Sequence, residues 1–155
     1  IAGIAIGFWA GARHTLDLPL TSTQSTPMTT SPAYVPAPPG LPFSTAVRAG
    51  GFLLLSGQIP FDADNKPHGG TIEEQTLAVL QSISTTLEGL GSSLRRVVKT
   101  TVWLSDLANV AAFNQIYLGY FQEGAYPARS LVEAKLAFGV AVEIEVLAID
   151  DSVSP

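Results

Sequence analysis

The sequence predicts one α+β domain, a mixed β-sheet carrying two helices on one face. Three observations predict it. Two segments repeat apolar residues at helical spacing, several short apolar or β-branched runs read as strands, and the order along the chain is β-β, helix, β, helix, β-β. A chain of 155 residues is long enough to build one core without disulfides. The helix-free face of such a sheet needs a cover, and its apolar content points to further subunits.

The first hairpin is read from residues 45–49 and 52–57, two apolar runs separated by Gly50-Gly51. FLLLSG at 52–57 is too apolar for an exposed strand. Residues 62–70 form a polar loop. Thr71-Ile72-Glu73-Glu74 then fits a capping box, with Thr71 as N-cap and Glu74 three residues on. Ile72, Thr76, Val79, Leu80, Ile83, Leu87 and Leu90 make one helical stripe, which Gly89 and Gly91 end. Residues 97–104 are β-branched and alternate, as a strand does. Leu107, Val110, Phe113, Ile116, Tyr117 and Tyr120 place a second amphipathic helix over 107–121. Residues 128–136 and 140–149 close the domain as two strands around a turn at Phe138-Gly139.

The N-terminal part differs. Residues 1–12 are apolar and are followed by Arg13 and His14. A bilayer takes about 20 apolar residues, so this stretch is too short to span one. It reads either as the end of a longer anchor, signal or transit segment or as an extra strand or gene-model boundary. The chain begins at Ile1, and Met28 opens a natural start. Residues 18–47 hold no Asp, Glu, Lys or Arg and carry seven of the eleven prolines, so they read as an extended arm.

Composition removes much chemistry. With no cysteine there is no disulfide, no Cys-ligated zinc and no thiolate nucleophile. The two histidines, His14 and His68, are far apart, which disfavours a histidine metal site or a Ser-His-Asp triad. The net charge of −5 argues against nucleic acid as the main partner.

What remains are carboxylates, arginine, hydroxyls and backbone. In the last strand Val140, Val142, Ile144 and Val146 share one face, and Glu143 and Glu145 share the other. Two carboxylates on an otherwise apolar strand are either ion-paired to Lys99 or Lys135 on a wet face, or functional. Arg129 enters a strand from the loop Tyr126-Pro127-Ala128. It is either a surface arginine or a two-pronged grip on a carboxylate. Asn114 lies beside the second helix's stripe, either a solvent-facing amide or a site residue. Gly57, in Ser56-Gly57-Gln58, admits either a ligand close to the backbone or a positive φ.

Together these segments form a recognisable series. Leu55-Ser56-Gly57-Gln58-Ile59-Pro60, Gly69-Gly70 before Glu73-Glu74-Gln75-Thr76, Val97-Val98-Lys99-Thr100-Thr101-Val102, Phe113-Asn114-Gln115-Ile116-Tyr117, Pro127-Ala128-Arg129-Ser130 and Val142-Glu143-Ile144-Glu145 occur in this order. The chain thereby resembles the RidA (YjgF, or L-PSP endoribonuclease-like) family. The resemblance covers about residues 36–150, leaving 1–35 as an N-terminal extension and 151–155 as a tail. It implies a chorismate-mutase-like fold and a homotrimer whose sheets form a central barrel, with a pocket at each subunit interface.

The activity it implies is hydrolysis of 2-imino or 2-enamino acids to 2-oxo acids and ammonia. The residues it implies are Arg129 as the grip on the substrate carboxylate and Glu143 as the group that positions water. Ser56, Gly57 and Asn114 would line the pocket. Phe43 stands where the family commonly has a tyrosine, and Leu131 where it often has a cysteine, so both would shape a more apolar substrate pocket. The segment between Glu133 and Glu143 is one residue short, and its usual Pro-Lys-Gly turn is altered. This chemistry requires no cofactor and no metal. The alternatives are a relative acting on a bulkier intermediate and a non-enzymatic trimer that binds ligands or acts like a chaperone. The expected compartment is the cytoplasm, or a mitochondrion or other organelle if residues 1–27 belong to a targeting segment.

Overall fold

The computed structural model describes residues 31–62, 64 and 66–152. The expectations for residues 1–12 lie outside them. Six strands form one sheet: β1 (Ala33–Pro36), β2 (Ser44–Ala49), β3 (Phe52–Gln58), β4 (Val97–Leu104), β5 (Ala128–Glu133) and β6 (Val142–Ile149). Helix α1 (Ile72–Gly89) follows β3, and α2 (Val110–Leu118) links β4 to β5. The strand order is β1-β2-β3-β6-β4-β5. All neighbours are antiparallel except β4 and β5, which run parallel because α2 carries the chain back between them.

Local chemistry explains the elements. Ala49 pairs with Phe52, and Gly50 and Gly51 sit at φ 58° and 81°. Both central residues of the turn thus take the positive φ of a primed hairpin turn, which glycine adopts without steric cost. The α1 capping box is complete. The Thr71 hydroxyl accepts from the Glu74 N–H at 3.3 Å, and the Glu74 carboxylate accepts from the Thr71 N–H at 2.9 Å.

Alternate strand residues turn one way. Leu53, Leu55, Val102, Leu104, Val142, Ile144 and Ala148 are buried beneath Val79, Leu80, Ile83 and Leu87 of α1 and Phe113 and Tyr117 of α2. Both helices therefore lie on one face, as expected. Phe52, Leu54 and Val132 point to the other face and stay exposed.

Three expectations need correction. Residues 33–36, read as part of an arm, form β1, with Tyr34 paired to Val47, so the domain starts ahead of residue 36. So short a segment between prolines carries no strand signal. It is tolerated at the sheet's edge, where Pro36 ends the strand. The second helix begins as a 3₁₀ turn at Leu107–Asn109, where the Asp106 carboxylate accepts from the Ala108 N–H at 2.8 Å. It stops at Leu118 rather than 121. The last two strands end at Glu133 and begin at Val142, because Ala137–Gly139 forms a 3₁₀ turn with Phe138 and Gly139 at φ 57° and 71°. The tail residue Asp151 is tied back to Arg96 by a 2.6 Å ion pair.

Candidate functional site

The expected site residues fall into two groups, set by the pleat of the sheet. Arg129 pairs with Thr100 across β4 and β5. Thr100 is buried against the helices, so Arg129 also turns to the helix face. There α2 meets it. Asn114 and Tyr117 are three residues apart on one side of the helix. Arg129 Nη1 donates to Asn114 Oδ1 at 2.8 Å. The guanidinium carbon lies 4.8 Å from the centre of the Tyr117 ring and 5.8 Å from that of Phe113. A groove of about 280 Å³ opens here, lined by Asn114, Tyr117, Leu118, Tyr126, Pro127 and Arg129. Leu131, two residues along β5, takes the same side opposite Val102 and packs against the core.

The second group is built by a bulge. Leu55 pairs with Val146, but Gln58 pairs with Ile144, so β3 holds one residue more than β6 at Ser56-Gly57. Ser56 Oγ donates to the Ser44 carbonyl at 2.6 Å, beside the exposed Phe43. Gln58 Nε2 donates to the Ser56 carbonyl at 3.0 Å, and Gln58 Oε1 accepts from Ser82 of α1 at 3.3 Å.

The bulge leaves room for one carboxylate. A Cβ at position 57 would stand 2.1 Å from Glu143 Oε1 and 3.1 Å from its carboxyl carbon. Gly57 is needed for this close approach. Gly57 is not at positive φ, so the second reading of that glycine falls away. Burial first, and the neighbouring Glu145 charge second, push the Glu143 carboxyl above its ordinary value.

Glu143 pairs with Trp103 and alternates with buried Val142 and Ile144, so it faces the helix-free side. Arg129 and Glu143 thus stand on opposite faces of the sheet. The structure brings Arg129 together with Asn114, and Glu143 with Gly57, but one chain does not join the two groups.

The expected ion pair between Lys99 or Lys135 and these acids is absent among the described residues, where Arg48–Asp150 and Arg96–Asp151 are the pairs formed. Lys99 Nζ instead donates to the Thr100 carbonyl at 2.8 Å and to Ser130 Oγ at 3.2 Å. It shares a hollow of about 170 Å³ with Glu145, Thr101 and Leu54. Among the described residues no cluster of His, Asp or Glu is placed to hold a metal ion, and no helix is long and apolar enough to cross a membrane.

Sequence reasoning placed Phe113 and Tyr117 in the helix stripe and gave them no part in the site. The signal that could have found Tyr117 is its place three residues after Asn114 on the same helix face.

A mixed sheet with two helices on one face, an arginine at its parallel edge and a glutamate over a strand bulge defines an α+β class shared with known proteins. The chain belongs to the Endoribonuclease L-PSP family, the RidA/YjgF group, whose family model matches residues 35–150. It is 40% identical over 129 residues to "Protein MMF1, mitochondrial" of Saccharomyces cerevisiae, spanning 83% of this chain and 86% of that one. It is 44% identical over 115 residues to a RutC family protein of Pyrococcus horikoshii, spanning 73% and 90%. The crystal structure of RidA from an Antarctic Psychrobacter superposes with a TM-score of 0.67 at 35% identity, over 75% of this chain and 94% of that one. The chain therefore has the fold of this family, and a RidA-like role in general.

Proposed function

We propose that the protein hydrolyses reactive 2-imino and 2-enamino acids to 2-oxo acids and ammonia, in pockets formed between copies of the chain in a homotrimer. The observation that carries the reading is the split itself. A guanidinium with free N–H groups faces a groove on one side of the sheet. A carboxylate with a raised pKa rests over a glycine on the other. Two such groups meet only when the helix-side edge of one copy meets the helix-free face of another. That packing would also cover Phe52, Leu54 and Val132.

The chemistry follows from the groups. Arg129 takes the substrate carboxylate on two parallel N–H donors and fixes the neighbouring C=N carbon. Glu143, ionised, accepts a proton from water as the water oxygen bonds to that carbon. The C=N pair moves to nitrogen. For a protonated imine this leaves an amino group; the proton held by Glu143 passes to it, the new hydroxyl gives its proton to water as its O–H pair forms the carbonyl of the 2-oxo acid, and ammonia leaves with the C–N pair. An enamine enters the same path after protonation at carbon gives the imine.

Phe43 and Leu131 add apolar surface, which favours substrates with apolar side chains over the smallest ones. The net charge of −5 speaks against RNA as substrate, although "endoribonuclease" stands in the family's name. The reading places the protein in the cytoplasm. Mitochondria are the alternative, which the yeast relative's printed name supports, and cell fractionation distinguishes the two.

The test is subunit complementation. Arg129→Ala and Glu143→Gln chains are each expected to be inactive on 2-iminobutanoate generated in situ. Co-refolded in equal amounts, they should regain activity, because random mixing pairs an intact arginine with an intact glutamate at about one quarter of interfaces. Mixed subunits that stay inactive while assembling normally would reject a shared pocket. Wild-type protein that leaves every tested imine to decay at its spontaneous rate would reject the activity.

A further inference from the structure

We propose that Tyr117 is a positioning residue for Arg129: its ring is the platform on which the guanidinium plane is held so that its free edge faces the substrate carboxylate. This rests on the reading of Arg129 given above. An arginine on an exposed edge strand has many rotamers to lose when it binds a carboxylate. Here one nitrogen is already held by Asn114, and the guanidinium carbon is 4.8 Å from the centre of the Tyr117 ring. That distance lies within the range of a cation–π contact.

The ring is itself fixed. Tyr117 is only 3% exposed, and its ring centre lies 5.3 Å from that of Phe113 and 4.7 Å from that of Phe121. Its hydroxyl and Thr100 Oγ1 are hydrogen-bonded at 2.9 Å. Thr100 is also the register partner of Arg129. The contacts therefore close a circuit: β4 carries Thr100, Thr100 holds the tyrosine, the tyrosine carries the arginine, and the arginine's backbone is paired to Thr100. A shift of α2 against β5 has to break one of these links. Burial pushes the phenol's pKa above its ordinary value, against the smaller opposing effects of the Thr100 hydrogen bond and the Arg129 charge. The ring offers the guanidinium its π face.

The test compares Tyr117→Phe, which keeps the ring, with Tyr117→Leu, which removes it. The first readout is the Arg129 Nε–H resonance, assigned by its loss in Arg129→Ala. In the wild type it should be shifted by the ring current relative to that of exposed Arg95. The shift should persist in Tyr117→Phe and vanish in Tyr117→Leu. The second readout is kinetic. Tyr117→Leu should raise KM for 2-iminobutanoate about tenfold with kcat within about twofold, and Tyr117→Phe, which keeps the ring but gives up the Thr100 hydrogen bond, should raise it less, about threefold. An unshifted Arg129 resonance in the wild type overturns the proposal, even if the leucine variant does not fold. So does a Tyr117→Leu protein with unchanged resonance and KM, or a Tyr117→Phe protein as impaired as Tyr117→Leu. Wild-type protein without imine turnover would sink the proposed activity and leave the resonance to decide the platform.

Discussion

Arg129 lies over a tyrosine ring with an amide on one nitrogen, whereas Glu143 has a glycine beneath it and a second carboxylate beside it. The arginine is held by side chains that α2 presents to the edge of the sheet. The glutamate is placed by backbone, through a bulge in β3 and the absence of one Cβ. The cationic half is thus preassembled. The carboxylate half sits where burial and a like charge both favour the neutral form, so its protonation is open to adjustment. Changes on the arginine side should act on substrate binding, and changes on the glutamate side on turnover and its pH dependence.

Removing the two charged groups is the harshest way to break that division. Arg129→Ala is expected to lower kcat/KM about a thousandfold, mostly through KM, because a two-pronged carboxylate grip is lost. Glu143→Gln keeps the shape and removes the base, and should lower kcat about a hundredfold or more with KM little changed. Steady-state kinetics on in situ imines checks both. If both variants lost binding alone, the two halves would not have separate roles.

Gly57→Ala is a subtler blow to the carboxylate half. The new methyl would meet Glu143 Oε1 at 2.1 Å, so the glutamate side chain must swing away. A displacement on the ångström scale can cost about a hundredfold in rate. We expect a loss of that order in kcat, with binding of a 2-oxo acid unchanged by calorimetry. Wild-type turnover in this variant would mean that Glu143 needs no fixed position. Asn114→Ala is the matching change on the other half and a smaller one. Arg129 loses one hydrogen bond but keeps its ring, worth about 1 kcal/mol at an exposed site, so KM should rise about fivefold. An unchanged KM would leave the ring as the sole support of the arginine.

The same contrast explains what could be read from the sequence. The hairpin at Gly50-Gly51, the α1 cap at Thr71 and Glu74, and the alternation of β6 are local patterns, and the structure reproduces them. β1 escaped because Ala-Tyr-Val-Pro carries no periodicity and is a strand only by pairing with β2. The second helix's stripe named Tyr117 as a packing residue. Only the parallel register of β4 and β5, a tertiary fact, places that ring under Arg129. The alternation of β6 separated Glu143 from the core, but the strand's position beside the β3 bulge was needed to show what lies beneath it. That Arg129 and Glu143 occupy opposite faces depends on the registers of β5 and β6 against β4, which no local pattern contains.

The smallest expected effect is also the most specific to the carboxylate half. Glu143 must be ionised to take a proton from water, so the acidic limb of the pH–rate profile should lie above the ordinary glutamate range. Burial is the larger cause of that shift and the Glu145 charge the lesser. Glu145→Gln removes only the lesser cause. The limb should therefore move to lower pH, part of the way back, with the plateau rate retained. Stability should follow with a definite sign. Because the folded state holds this proton more tightly than the unfolded chain, Glu143 makes stability fall as pH rises from the unfolded pKa to the folded one. Relieving the repulsion should narrow that window from its upper end, which denaturant titration across the acidic range can measure. The arginine half offers a control, since Asn114→Ala changes KM without touching a titrating group and should leave the acidic limb in place. A limb that moves with Asn114→Ala but not with Glu145→Gln would reverse the assignment of the two halves.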